Sequence, residues 1–227
     1  MSLGAYIIYI ALLLIIPLWA QSKVKSTYKK YSKKPTSSGM TGVEVARRVL
    51  DDNGLYHVSI EETKGVLSDH YDPRKKVVRL STDNYHGRSM ASSAVSAHEV
   101  GHAIQDEQEY AFLKFRSALV PVANFGSNVS FFLILAGIIL GMTNMLLLGI
   151  IFMSAAVLFQ LVTLPVEFDA SNRAMTQLIS TGVIRNEEER ETKKVLNAAA
   201  MTYVAAALVA VAELVRFILI FVSSNSD

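Results

Sequence analysis

Residues 117–140 (SALVPVANFGSNVSFFLILAGIIL) and 145–164 (MLLLGIIFMSAAVLFQLVTL) contain no charged side chain and are separated only by GMTN. As α-helices rising about 1.5 Å per residue, each is long enough to cross roughly 30 Å of hydrocarbon. A four-residue connection between them permits only an antiparallel membrane hairpin. Residues 3–20 (LGAYIIYIALLLIIPLWA) form another uncharged block, and residues 198–222 form a fourth that is broken only by Glu213 and Arg216. A hydrophobic fraction of 51% and a mean hydropathy of +0.32 exceed the usual globular range, as four spans would require.

The first block is expected to be a retained span. A cleaved signal peptide begins with a basic region and has a shorter apolar run, whereas here the basic run KVKSTYKKYSKK follows the block. Of the 22 Lys and Arg residues, 16 lie in residues 21–118 and five in residues 165–197, with none in residues 1–20 or the 141–144 turn. That distribution predicts four spans with both long loops cytoplasmic. The absence of cysteine is consistent with a reducing compartment. Glu213 and Arg216, three apart in the last span, read either as a functional intramembrane pair or as a self-satisfying one with Arg216 snorkelling.

The expectation is therefore a mainly α membrane protein with four transmembrane helices and a small α+β cytoplasmic domain. Its divisions are 1–20 (span), 21–116 (cytoplasmic), 117–164 (transmembrane hairpin), 165–197 (cytoplasmic) and 198–222 (span). Within 39–118, TGVEVARRVLDDNG predicts a helix from a Thr41 cap to Gly54, LYHVSI a short strand, Asp72-Pro73 a turn, and Val77 to Ser81 a second strand. An edge of that second strand would suit an extended peptide adding by main-chain hydrogen bonds. A helix from Ser89 to Tyr110 follows, with the small residues Ala91, Ala94 and Ala97 suited to close packing.

That helix carries AHEVGHAIQ. Residues four apart lie one above the other, so His98 and His102 present two imidazoles to one metal ion, while Glu99 points toward the position a water would take. Zinc in a catalytic site takes three protein ligands and leaves a fourth position open. Gln105 and Gln108 occupy the places where a metzincin would continue with glycine and histidine, so the third ligand is not on the next turns. The candidate is Glu167, in TLPVEFDASNRAM: between His102 and Glu167 the chain crosses the membrane twice and so returns to the same side. Pro165 two residues before it reads as a helix start, with the carboxylate in the first turn. Complementing that helix dipole is the alternative role for Glu167.

DHYDP, AHEVGHAIQ, FRSALVP and TLPVEFDASNRA, in that order, resemble the YugP-like family of neutral zinc metallopeptidases of prokaryotic membranes. The resemblance covers roughly residues 65 to 215 and implies a membrane-bound zinc peptidase of the prokaryotic plasma membrane. More distantly, the chain is similar to membrane gluzincins, which pair HExxH with a downstream E-F/Y-x-A-D. Here the segment is EFDAS, so Glu167 matches the ligand and Ser171 stands where an aspartate would orient a zinc histidine. Asp106, four residues after His102, is a substitute carboxylate for that task or a solvated helix residue.

The function expected is a zinc-dependent endopeptidase acting on protein or peptide substrates at the cytoplasmic face of the bilayer, with zinc on His98, His102 and Glu167 and Glu99 as general base. Oxyanion donors would come from His70, Tyr71, His86 or Arg173, with His70 and Tyr71 preferred because they belong to DHYDP. Basic residues at 23–34 and 74–79 would hold the domain near anionic lipid. No phosphate loop or nucleic-acid module is present, so the expected partners are substrate, lipid and either a membrane partner protein or further copies of the chain, and not nucleic acid. A different class also stands: a non-catalytic or partner-gated membrane scaffold, whose zinc would be closed by a fourth ligand such as His70 or Asp106.

Overall fold

The computed structural model describes residues 3–224; Met1 and Ser2, at the start of the expected first span, lie outside them. In chain order the elements are α1 (Leu3–Tyr31), α2 (Gly42–Asp52), β1 (Ser59–Thr63), β2 (His70–Asp72), β3 (Val77–Ser81), α3 (Thr82–His86), α4 (Met90–Glu107), α5 (Ala111–Ile139), α6 (Thr143–Ser180) and α7 (Asn186–Ser224). Among the described residues four helices, α1, α5, α6 and α7, are long and apolar enough to cross a membrane. The chain is mostly helical with one small sheet, and it divides into two compact units. One holds the chain up to Leu18, Ala111–Pro165 and the chain from Tyr203 onward, and the other holds Trp19–Tyr110 and Val166–Thr202.

In the first unit, α5 and α6 are packed through glycines. A Cβ on Gly137 would lie 2.6 Å from the Leu146 nitrogen, and one on Gly126 would lie 2.7 Å from the Phe152 carbonyl oxygen. Small residues at these crossings allow backbone approach in a setting where burial against lipid gives helices little drive to associate. The turn between them is made by Gly141 at φ +65°. Ile134, Leu146 and Ile150 are buried at the contact, whereas Phe131, Phe132, Ile138 and Ile139 are exposed, as residues facing hydrocarbon would be.

The second unit has a continuous core of side chains from α2, β3, α4 and the later parts of α6 and α7, including Val45, Val49, Leu50, Val78, Leu80, Val100 and Leu178. α2 starts with a capping box: the Thr41 hydroxyl accepts from the Glu44 amide while the Glu44 carboxylate accepts from the Thr41 amide. α4, capped by Ser89, is buried on nearly every side, from Met90 through Gln105. The alanines, serines and glycine along it let neighbouring elements approach closely on those faces.

Several boundaries differ from expectation. The first strand begins at Ser59, leaving most of LYHVSI as turn, and DHYDP contributes strand β2 where only a turn was read. β3 lies in the middle of the sheet, parallel to β1 and antiparallel to β2. Both of its edges are therefore occupied, and no peptide can add there. Val77, Val78, Leu80 and Ser81 are all buried, which fits a central strand covered on both faces.

Pro165 does not begin a helix. It lies inside α6, which runs unbroken from the apolar block through Ser180. Proline's fixed φ is compatible with helix, and the missing N–H costs one bond that neighbouring turns can carry. Glu167 is consequently a mid-helix residue, and the helix-dipole role considered for it does not apply.

Candidate metal centre

The spacing of His98 and His102 on α4 stacks their rings, with centroids 4.8 Å apart and planes at 82°. Oε2 of Glu167 lies 3.2 Å from Nε2 of His98 and 3.6 Å from Nε2 of His102. One ligand atom from each of the three residues lies within 4.8 Å of the others, a group that could hold a metal ion. Glu167 is 2% exposed, so its carboxylate is shielded from bulk water.

Glu167 reaches α4 because the two helices nearly touch. A Cβ on Gly101 would lie 2.6 Å from the carbonyl oxygen of Ala170. Ala170 is fully buried and follows Glu167 by about one turn. The glycine inside HEVGH and the alanine inside EFDAS thus form the crossing that brings the carboxylate to the imidazoles.

The histidines are also held from behind. Nε2 of Gln105 donates to the Val166 carbonyl and to Asp169 Oδ2, each at 2.8 Å. Its oxygen therefore faces Nδ1 of His102, at 3.0 Å. An amide oxygen can only accept, so Nδ1 carries the proton and Nε2 keeps the lone pair a metal needs. Ser171 Oγ lies 3.3 Å from Nδ1 of His98 and gives the other imidazole a hydrogen-bond partner on its outer nitrogen. Behind Gln105, Asp169 accepts from Arg173, whose other end donates to Gln108 Oε1 at 2.6 Å and lies over the Tyr110 ring.

This corrects the expectation for Asp106. Its carboxylate accepts from the Tyr71 hydroxyl at 2.7 Å and from Lys76 Nζ at 2.8 Å, and a cation with a hydroxyl satisfies it better than a neutral imidazole would. Arg173 is likewise committed to Asp169. The sequence reading overlooked Gln105 and Asp169. Gln105, three residues past His102, lies on the same helix face and could have been found by the spacing argument applied to Asp106.

Glu99 is buried beside the histidines. Burial pushes its carboxyl up to about 7, with the Asp69 and Glu167 charges adding to the rise, while His98 and a hydrogen bond from the Tyr71 main-chain N–H oppose it. The Tyr71 phenol is driven far above its ordinary range by burial and by the bond to Asp106, and stays protonated. Asp69 fixes the start of β2 by accepting from the Ser81 amide and hydroxyl and from Asn84. His70, the neighbour of Tyr71 on the strand, is exposed. Its Nδ1 meets the Ser68 carbonyl at 2.9 Å and its Nε2 meets Arg79 at 3.4 Å. His86 is exposed and faces Glu62.

Across residues 6–222 the sequence matches the family described as "Putative neutral zinc metallopeptidase". The chain belongs to this family. As a member of the zinc metallopeptidase family it is also 54% identical over 212 residues to the "Putative membrane protease YugP" of Bacillus subtilis (strain 168), covering 93% of this chain and 94% of that protein. No solved structure matches it. The family description and the His98–His102–Glu167 group agree on metal chemistry, and the relative's name agrees with four apolar helices on a membrane setting.

Proposed function

We propose that the chain is a zinc-dependent membrane endopeptidase of the gluzincin type, hydrolysing membrane or membrane-proximal proteins on the cytoplasmic side. The observation that carries this reading is the convergence of two imidazole nitrogens and one carboxylate oxygen beside a buried glutamate. Two nitrogens and one oxygen suit zinc, and both outer imidazole nitrogens are already bonded, leaving Nε2 available. A fourth protein ligand would favour a closed structural site, but among the described residues the group contains three, with Asp106 bonded to Tyr71 and Lys76. The cytoplasmic side follows from the distribution of Lys and Arg along the sequence.

His98, His102 and Glu167 would hold the zinc ion, which when bound would supply Lewis-acid chemistry toward a water and a carbonyl. Glu99 would act as the general base, taking a proton from the attacking water as its oxygen bonds to the carbonyl carbon and returning that proton to the amide nitrogen as the C–N bond breaks. Tyr71 holds the Glu99 carboxylate through its main-chain N–H. β2 is an edge strand of the sheet, and an extended substrate would add to its outer edge by main-chain hydrogen bonds. His70, engaged with Ser68 and Arg79, has no step assigned to it.

The test is cleavage of casein by the purified full chain with zinc, beside Glu99→Gln, with zinc content measured for both. The parent should cleave, and the variant should bind one zinc and be inactive. If both bind zinc and neither cleaves, the structural-zinc reading replaces this one.

A further inference from the structure

Within the second unit, α1 and the start of α7 enclose a cleft of about 580 Å³. One stripe of α1 (Trp19, Lys23, Lys30) faces one stripe of α7 (Lys194, Asn197, Met201), and an ion pair between Lys34, just past the end of α1, and Glu191 of α7 lies beyond the cleft. The lining has a clear polarity along its length. Trp19 is next to last in the uncharged run of residues 3–20, and Met201 belongs to the apolar block that starts at residue 198. Lys23 and Lys194 each lie about one turn outside those runs, and Lys30 lies two turns further along α1 than Lys23.

No carboxylate lines the cleft among the described residues, and neither Lys23 nor Lys194 is paired with one. Lys23, Lys30 and Lys194 therefore line one cleft whose lining holds no carboxylate, with the Lys30 ammonium also over the Tyr31 ring, at the point where apolar helix gives way to polar. The complementary ligand is an amphiphile whose anionic head meets the lysines and whose chain runs along Trp19 and Met201. A soluble anion would leave the apolar end bare, and a neutral lipid would leave the lysines uncompensated.

We propose that this cleft is a discrete binding site for one anionic phospholipid, distinct from the diffuse attraction of a basic segment to a charged leaflet. The proposal requires membrane placement but does not depend on peptidase activity. Trp19 is the single tryptophan of the chain, so its fluorescence reports on the site directly.

The experiment reconstitutes the full chain in phosphatidylcholine vesicles and titrates phosphatidylglycerol with brominated acyl chains, reading quenching of Trp19. Quenching should saturate at a low fraction of brominated phosphatidylglycerol, whereas brominated phosphatidylcholine should quench only in proportion to its abundance. The variant Lys23→Gln/Lys30→Gln/Lys194→Gln should weaken the saturable component roughly a hundredfold, about fivefold for each lysine. Lys25→Gln/Lys29→Gln/Lys33→Gln removes three lysines from the same basic segment outside the cleft lining and should change it little. Equal weakening by both variants, or quenching that never saturates, would leave diffuse attraction only and overturn the proposal. Displacement of the lipid by millimolar inorganic phosphate would also overturn it, since the cleft would then recognise phosphate without the chain. Circular dichroism of both variants confirms that each is folded.

Discussion

The carbonyl oxygen of Ala170 occupies the space that a side chain on Gly101 would need, 2.6 Å from its Cβ position. α4 and α6 are thereby locked at one separation, and that separation sets how far Glu167 lies from His98 and His102. Gly101→Val should push the helices apart, destabilising the fold by about 1–3 kcal/mol and weakening zinc binding more than it weakens folding. Thermal unfolding with and without zinc separates the two effects; an unchanged zinc affinity would mean the crossing does not govern the site.

Gln105 fixes the His102 tautomer, and Gln105→Leu removes that hydrogen bond while filling similar volume. Zinc affinity should fall by about 10–100-fold, read by competition with a chromophoric chelator. Asp106→Asn, which alters the carboxylate first suspected of this role, should leave zinc affinity within about threefold, the scatter expected where no imidazole is touched. The reverse ranking would restore Asp106 as the supporting residue.

Zinc should stabilise the fold by linkage, by about 2.7 kcal/mol at a free concentration a hundredfold above its dissociation constant. Chelation should lower the unfolding temperature of the parent, and Glu167→Ala should abolish most of that difference. A variant that still gains the full increment from zinc would remove Glu167 from the ligand set.

How much of this was legible in the residues depends on what each pattern encodes. Helical spacing fixed the stacking of His98 over His102, and the Thr41–Glu44 box announced the start of α2, because both are local relationships within one turn. Gln105 and Asp106 are indistinguishable by that criterion, being three and four residues from His102. Which one turns toward the imidazole is settled by Lys76, in the turn between β2 and β3, and Tyr71 on β2, which reach Asp106 from 30 and 35 residues away in sequence. Pro165 misled for a related reason. Proline signals a helix start only when the preceding turn is absent, and the apolar block supplies that turn. The central position of β3 was invisible because strand order is a tertiary property, although its near-continuous burial fits a covered strand better than an edge.

Tyr71 separates main-chain from side-chain roles. Tyr71→Phe keeps the N–H that meets Glu99 and loses only the hydroxyl bonded to Asp106, so peptidase turnover should change by less than about tenfold. A loss of about 10²–10³ in kcat with zinc content and stability intact would instead identify the phenol as an oxyanion donor.

Glu188 ties α7 to the segment that follows α1. Its carboxylate accepts from the Ser37 amide at 2.8 Å, the Ser37 hydroxyl at 2.6 Å and the Arg185 amide at 2.9 Å. Glu188→Ala strands these donors and should cost about 1.5–3 kcal/mol, the range for hydrogen bonds to a charged group, measured as a shift in denaturant midpoint. A shift below about 0.5 kcal/mol, the scatter of an ordinary surface substitution, would show that water replaces the carboxylate without penalty.

The candidate metal group is drawn from residues 69 apart in the chain, His98 on α4 and Glu167 on α6. A ribosome adding about 5–20 residues per second takes roughly 3–14 s to span that interval, during which the hairpin of α5 and α6 must also be made. The nascent polypeptide thus carries its two imidazoles well before the carboxylate that completes the set. Whatever chemistry the finished centre performs, it is withheld from the half-made protein by the order of translation itself.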